Sequence, residues 1–63
     1  MWKTLKEQLP ENNQMILIKS KFVKYPEVGV WQDLPGNISE VYIYANDDSE
    51  QPENILKWMP IPV

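Results

Sequence analysis

The longest unbroken apolar run is Met15-Ile16-Leu17-Ile18, flanked by Gln14 and Lys19. Four apolar residues bounded by polar ones read as a short strand apolar on both faces, which is central in a sheet or covered on both sides. Residues 27–32 alternate instead, with Val28 and Val30 on one face. Gly29 falls on the other face, where its missing side chain leaves room for an aromatic ring or a crossing backbone. Leu34-Pro35-Gly36-Asn37 has Pro second and Gly third, the requirement of a type II turn. It predicts a hairpin joining residues 27–33 to 38–45. In the second arm Val41, Ile43 and Ala45 share one face, and Glu40, Tyr42 and Tyr44 the other. A last strand is expected over residues 55–59, with Leu56 and Trp58 on one face, stopped by Pro60-Ile61-Pro62.

The segments between are less regular. Trp2, Leu5 and Leu9 fit one face of a helix, and Thr4 with Glu7 has the spacing of a capping box. Pro10 ends that stretch after eight residues, because the residue before a proline avoids the α region. A short helical turn or an irregular arm is expected there, with Trp2 as a lid on the core. Residues 10–13 form a turn in which Asn13 tolerates left-handed backbone. Lys19 and Lys21 point outward around Ser20, Phe22-Val23 returns to the core, and Tyr25-Pro26 marks a bend. Residues 46–54, polar and acidic, read as a solvated loop. The fold expected is mostly β: a small antiparallel sheet or partly open barrel of about four strands, in a single domain over 1–63.

Composition narrows the chemistry. The 63 residues contain no Cys, no His and no Arg. Thiolate and imidazole nucleophiles, imidazole bases and Cys- or His-based metal sites are therefore absent. So is the bidentate fork that reads phosphate or guanine. The net charge of −3 is uneven: +2 over residues 1–31 and −5 over residues 32–63. The simplest expectation is that the two halves meet on folding. The apolar run is too short for a signal peptide or a spanning helix, so no membrane association and a cytoplasmic location are expected.

Few residues are left to carry function. The acidic stretch 46–53 lacks the Gly and Glu spacing of a calcium loop, so no metal is assigned to it. No pair of carboxylates is singled out by spacing, no serine has a His partner, and two glycines cannot build a phosphate cradle. No enzymatic activity and no cofactor are expected. Lys19 and Lys21, with Tyr42 and Tyr44, make the candidate partner surface. Aromatics on an exposed strand face suit single-stranded nucleic acid, but three lysines on an acidic chain attract it weakly. A protein partner suits the aromatics better, and a second copy of the chain is one such partner. Trp2, Pro10, Trp31, Gly36, Trp58 and Pro60 are assigned to structure.

Three segments carry a resemblance. Trp2 is followed, after six residues, by Leu9-Pro10-Glu11-Asn12-Asn13-Gln14 and the apolar run. Gly29-Val30-Trp31 lies mid-chain, and Trp58-Met59-Pro60-Ile61-Pro62 closes it. This pattern resembles a family of small phage and prophage proteins of unknown function. In that family a Trp and a Leu-Pro-Glu turn lead into a hydrophobic strand, and the chain ends in His-Trp-Met-Pro-x-Pro. The chain departs from it twice, with Asn13 at the turn glycine and Lys57 at the histidine. The resemblance implies a phage or prophage accessory protein and a closure in which Trp2 and Trp58 pack together. The function expected is a non-enzymatic protein-binding module, an adaptor or an inhibitor of a host protein. The alternative is a weak single-strand nucleic-acid-binding β-domain.

Overall fold

The computed structural model describes residues 1–61; Pro62, the last residue of the closing motif, lies outside them. The fold is mostly β, five antiparallel strands in one open sheet. They are β1 (Met15–Ser20), β2 (Glu27–Leu34), β3 (Ile38–Ile43), β4 (Asp48–Glu50) and β5 (Ile55–Pro60). The spatial order is β4-β3-β2-β1-β5. Four strands run as a meander, and the fifth returns to pair with the first. β1 is thus internal, as its two-sided apolar run predicts.

The fifth strand is β4, inside the acidic stretch expected to be a loop. Its Asp48 and Ser49 are exposed and hydrophilic, so no apolar pattern marks it. Backbone geometry makes it instead. Asp47 takes φ 50, the hairpin closes, and Asp48, Ser49 and Glu50 pair with Ile43, Tyr42 and Val41. A single 3-10 turn at Pro52–Asn54 then leads into β5.

One face of the sheet holds the core. β1 supplies Ile16 and Ile18, β2 Trp31, β3 Val41 and Ile43, and β5 Ile55 and Trp58. Each is worth about 1.5–3 kcal/mol on burial. All seven come from the same sheet, with Leu5 of the N-terminal arm packed against them. The described fold measures 30 × 24 × 24 Å, with the arm and loops included. At Gly29, β3 comes close to β2. A Cβ there would lie 2.5 Å from Val41 Cγ1 and 2.8 Å from the Tyr42 carbonyl oxygen. The space left by Gly29 is filled by β3, not by an aromatic ring.

The turns follow their residues. Gly36 has φ 83 and Asn37 φ 59, so the β2–β3 turn uses the left-handed positions that Pro35-Gly36 announces. Asn13 has φ 66, the conformation a glycine would take. That turn is held by Asn13 N–H to Trp31 O (2.7 Å) and Trp31 N–H to Gln14 O (2.9 Å). Pro10 is buried at its start. Pro60 ends β5 opposite Ile16.

Several side chains depart from expectation. Phe22 is 72% exposed and Val23 only half-buried. The chain leaves the sheet at buried Ser20, whose Oγ accepts the Phe22 N–H at 3.3 Å, so the next residues bend away. Leu56 is exposed while Ile55 and Trp58 are both buried, because the register between β1 and β5 shifts. Lys19 pairs with Lys57 but Ser20 with Ile55, leaving Leu56 as the extra residue of a bulge. Leu9 is 61% exposed, since the arm makes one turn and not a helix. Ala45 is exposed because β3 ends at Ile43. Trp2 is half-buried with its ring 4.5 Å from Lys19 Nζ, on the outer side; Leu5 is the residue that covers the core. The closure of the two ends runs through Lys3, which exchanges two backbone hydrogen bonds with Trp58 at 2.7 and 2.8 Å.

Candidate functional site: an aromatic groove at one end of the sheet

Strand alternation decides which side chains face outward. Val28 and Val30 of β2 lie opposite the core face, because Gly29 and Trp31 face inward. Tyr42 pairs with Val30 and shares that outer face. Tyr44 lies just beyond β3, and its N–H donates to the Val28 carbonyl at 3.4 Å, extending the ladder. The Tyr42 and Tyr44 rings meet edge to face, with centroids 5.4 Å apart and planes at 88°. That geometry sets the positive edge of one ring against the negative face of the other.

The Tyr42 hydroxyl donates to the Asp47 carboxylate in the β3–β4 hairpin. This hydrogen bond, followed by partial desolvation and the negative charge of Asp47, holds the Tyr42 phenol above its ordinary pKa. Tyr42 is therefore fixed at its tip. Tyr44, 52% exposed, presents its ring to solvent.

The four residues of the expected surface do not form one patch. Tyr42 and Tyr44 are together. Lys19 shares the outer face but stands on β1, two strands from Tyr44, on the order of 12 Å away by strand spacing and rise. Its ammonium lies over Trp2. Lys21 follows the end of β1 in a bend, where its N–H donates to Asn54 O at 2.9 Å. The two lysines do not share the expected strand face, because β1 ends at Ser20 and Lys21 lies past it.

A concave feature lies beside Tyr44. A groove of about 500 Å³ opens between the β1–β2 loop and the β3–β4 hairpin. The loop contributes Val23, Tyr25 and Pro26; β2 contributes Glu27 and Val28; the hairpin side contributes Tyr44, Ala45 and Asn46. Tyr25 is 69% exposed, and Phe22 stands free next to Val23. Asn46 Nδ2 approaches Glu27 Oε2 at 3.5 Å across this end. Sequence reading found Tyr44 alone of these. Phe22 and Val23 looked like core, and Tyr25-Pro26 like a bend. The usable signal was an aromatic beside a proline in a loop between Lys24 and Glu27, since nothing about such a residue requires burial.

Other chemistry is sparse. Among the described residues no three acidic side chains come together as a metal site, and no buried polar side-chain atom lacks a partner. Asp33 accepts from Trp31 Nε1 and from Ser39 Oγ, both at 3.0 Å, which pins the β2–β3 hairpin. Among the described residues no helix is long and apolar enough to cross a membrane. In comparison with known proteins, the chain matches no family model, no curated protein and no solved structure.

Proposed function

We propose that this protein is a non-enzymatic binding module that recognises another protein through the aromatic groove. The setting is the one the sequence resemblance implies: a phage or prophage accessory protein, working in the host cytoplasm as an adaptor or inhibitor of a host protein. The observation that carries the reading is the groove itself, with Tyr25 and Tyr44 half or more exposed on an apolar lining. Tyrosines at a concave apolar site give large contact area at small entropic cost, the usual make-up of binding hot spots.

Nucleic acid is less well supported. A stacking platform needs free ring faces beside cations. Tyr42 is tied to Asp47, its ring is packed on Tyr44, and the groove lining holds a carboxylate and no lysine.

The test is affinity capture from host lysate with the wild-type chain and a Tyr25→Ser/Tyr44→Ser variant, each first shown to melt as a folded domain. The reading expects a protein retained by the wild type and lost by the variant. Identical capture profiles would remove the groove from function. A salt-sensitive shift with single-stranded oligonucleotides, and no protein capture, would replace it with the nucleic-acid reading.

A further inference from the structure

We infer that the groove takes an extended, proline- or aliphatic-containing segment of its partner that carries a lysine or arginine next to the apolar residue. The inference rests on the protein-binding reading and names the chemistry of the ligand.

The apolar part follows from the walls. Val23, Val28 and Ala45 with the rings of Tyr25 and Tyr44 offer no charge and two flat surfaces. A pyrrolidine ring or a branched aliphatic side chain fills such a slot with little rotamer entropy to lose. The extended conformation follows from the backbone. Pro26 has no N–H, and the Tyr44 N–H is already committed to Val28 O. At these two positions of the lining an added strand finds no free N–H to pair with. A polyproline-type segment makes no internal backbone hydrogen bonds and presents side chains on flat faces, so it asks for no ladder.

The basic residue follows from Glu27. Its carboxylate is the one charged group in the groove lining. Its contact with Asn46 is long, at 3.5 Å, so most of its acceptor capacity is open. Lys21 and Lys24 belong to the loop but do not line the groove. A guanidinium or ammonium one or two residues from the apolar anchor meets a half-buried carboxylate, where a charge-assisted hydrogen bond is strong.

A random peptide display library selected against the full chain tests this, alongside the Glu27→Lys and Glu27→Gln variants, each first shown to melt as a folded domain. The wild type is expected to enrich peptides with proline or a branched aliphatic residue beside Lys or Arg. A peptide so selected should bind the Glu27→Gln variant at least tenfold more weakly. Glu27→Lys should enrich Asp or Glu at the same position. If Glu27→Lys does not fold, the tenfold loss in Glu27→Gln decides alone. Enrichment without a cationic preference, or a preference unchanged in the Glu27 variants, overturns the inference and leaves the protein-binding reading standing. No enrichment over background also overturns it. Failure of the protein-binding reading shows separately, as capture from lysate that is indifferent to Tyr25 and Tyr44.

Discussion

The indole N–H of Trp58 donates to the carbonyl of Gln8 at 2.9 Å, joining residues fifty positions apart. Lys3 adds two backbone bonds to Trp58, and its ammonium stands 5.2 Å from the Trp58 ring. One residue thus fills the core at 1% exposure and fastens the N-terminal arm to the last strand.

Trp58→Ala should therefore cost about 3–5 kcal/mol, the range for a buried aromatic emptied to a methyl. Trp58→Phe separates the two roles. It keeps much of the packing but leaves the Gln8 carbonyl without its donor, a loss of roughly 1 kcal/mol for the bond, with a cavity term for the smaller ring. Urea unfolding followed by the remaining tryptophans measures both. A Trp58→Ala midpoint equal to the wild type would mean the residue is not core.

The arm has its own acid-sensitive element. Thr4 N–H donates to the Glu7 carboxylate at 2.9 Å, and Glu7 N–H donates back to Thr4 Oγ1 at 3.2 Å. The Thr4 N–H, followed by the Thr4 hydroxyl donating to the same carboxylate at 3.0 Å, holds Glu7 below its ordinary pKa. A carboxylate depressed in the folded state contributes stability above its unfolded pKa and loses it as pH falls through the folded one. The protection factor of the Thr4 amide, its rate relative to an unstructured amide at the same pH, should therefore fall as the solution is acidified past the ordinary glutamate range. In Glu7→Ala the same amide should be unprotected at every pH. A protection factor independent of acid in the wild type would show that the box does not hold the arm.

Which parts were legible in the sequence follows from which signals are local. The Pro35-Gly36 turn, the alternation of β3 and the apolar run of β1 depend on neighbours in sequence, and all three are where they were expected. Asn13 could be read as left-handed because its own chemistry permits it. β4 could not be read, since Asp48-Ser49-Glu50 has no apolar face and is a strand only because Asp47 turns the chain back onto β3. Leu56 looked inward because alternation assumes a constant register, and the bulge opposite Lys19 breaks it. The groove was half hidden for a related reason. Tyr44 lay on a readable strand face, whereas Tyr25 joins it only when the β1–β2 loop folds beside the hairpin.

Gly29 offers a test of the close approach of β2 and β3. A methyl group there meets the Val41 side chain at 2.5 Å and the Tyr42 carbonyl at 2.8 Å, and a backbone oxygen cannot swing aside as a side chain can. Gly29→Ala should destabilise by about 1–3 kcal/mol, as overpacked cores do. At Gly36 the nearest atom to an added Cβ is 3.9 Å away, and the cost comes from φ +83 alone. Gly36→Ala should cost on the order of 1 kcal/mol through backbone strain. Gly36→Asn should cost less, because asparagine tolerates the left-handed region. Thermal melts of the three variants separate crowding from strain. A Gly29→Ala melt equal to wild type would require β2 and β3 to be further apart than the structure places them.

The two halves of the expected partner surface should behave differently. Tyr44 lines the groove and is half exposed, so Tyr44→Ser should cost about 0.5–1.5 kcal/mol through the lost edge-to-face pair with Tyr42, while lowering partner or peptide binding at least tenfold. Lys19 is engaged over Trp2 at 4.5 Å, and Lys21 sits in the bend after β1. Neither lines the groove. Lys19→Ser should give up the cation–π contact, roughly 0.5–1 kcal/mol at an exposed site, with binding changed less than twofold. Lys21→Ser should alter neither. Titrating one labelled peptide into each variant, beside its melt, compares them directly. A loss of binding in the lysine variants equal to that in Tyr44→Ser would move the recognition surface from the groove to the outer face of β1, where Lys19 and Trp2 meet.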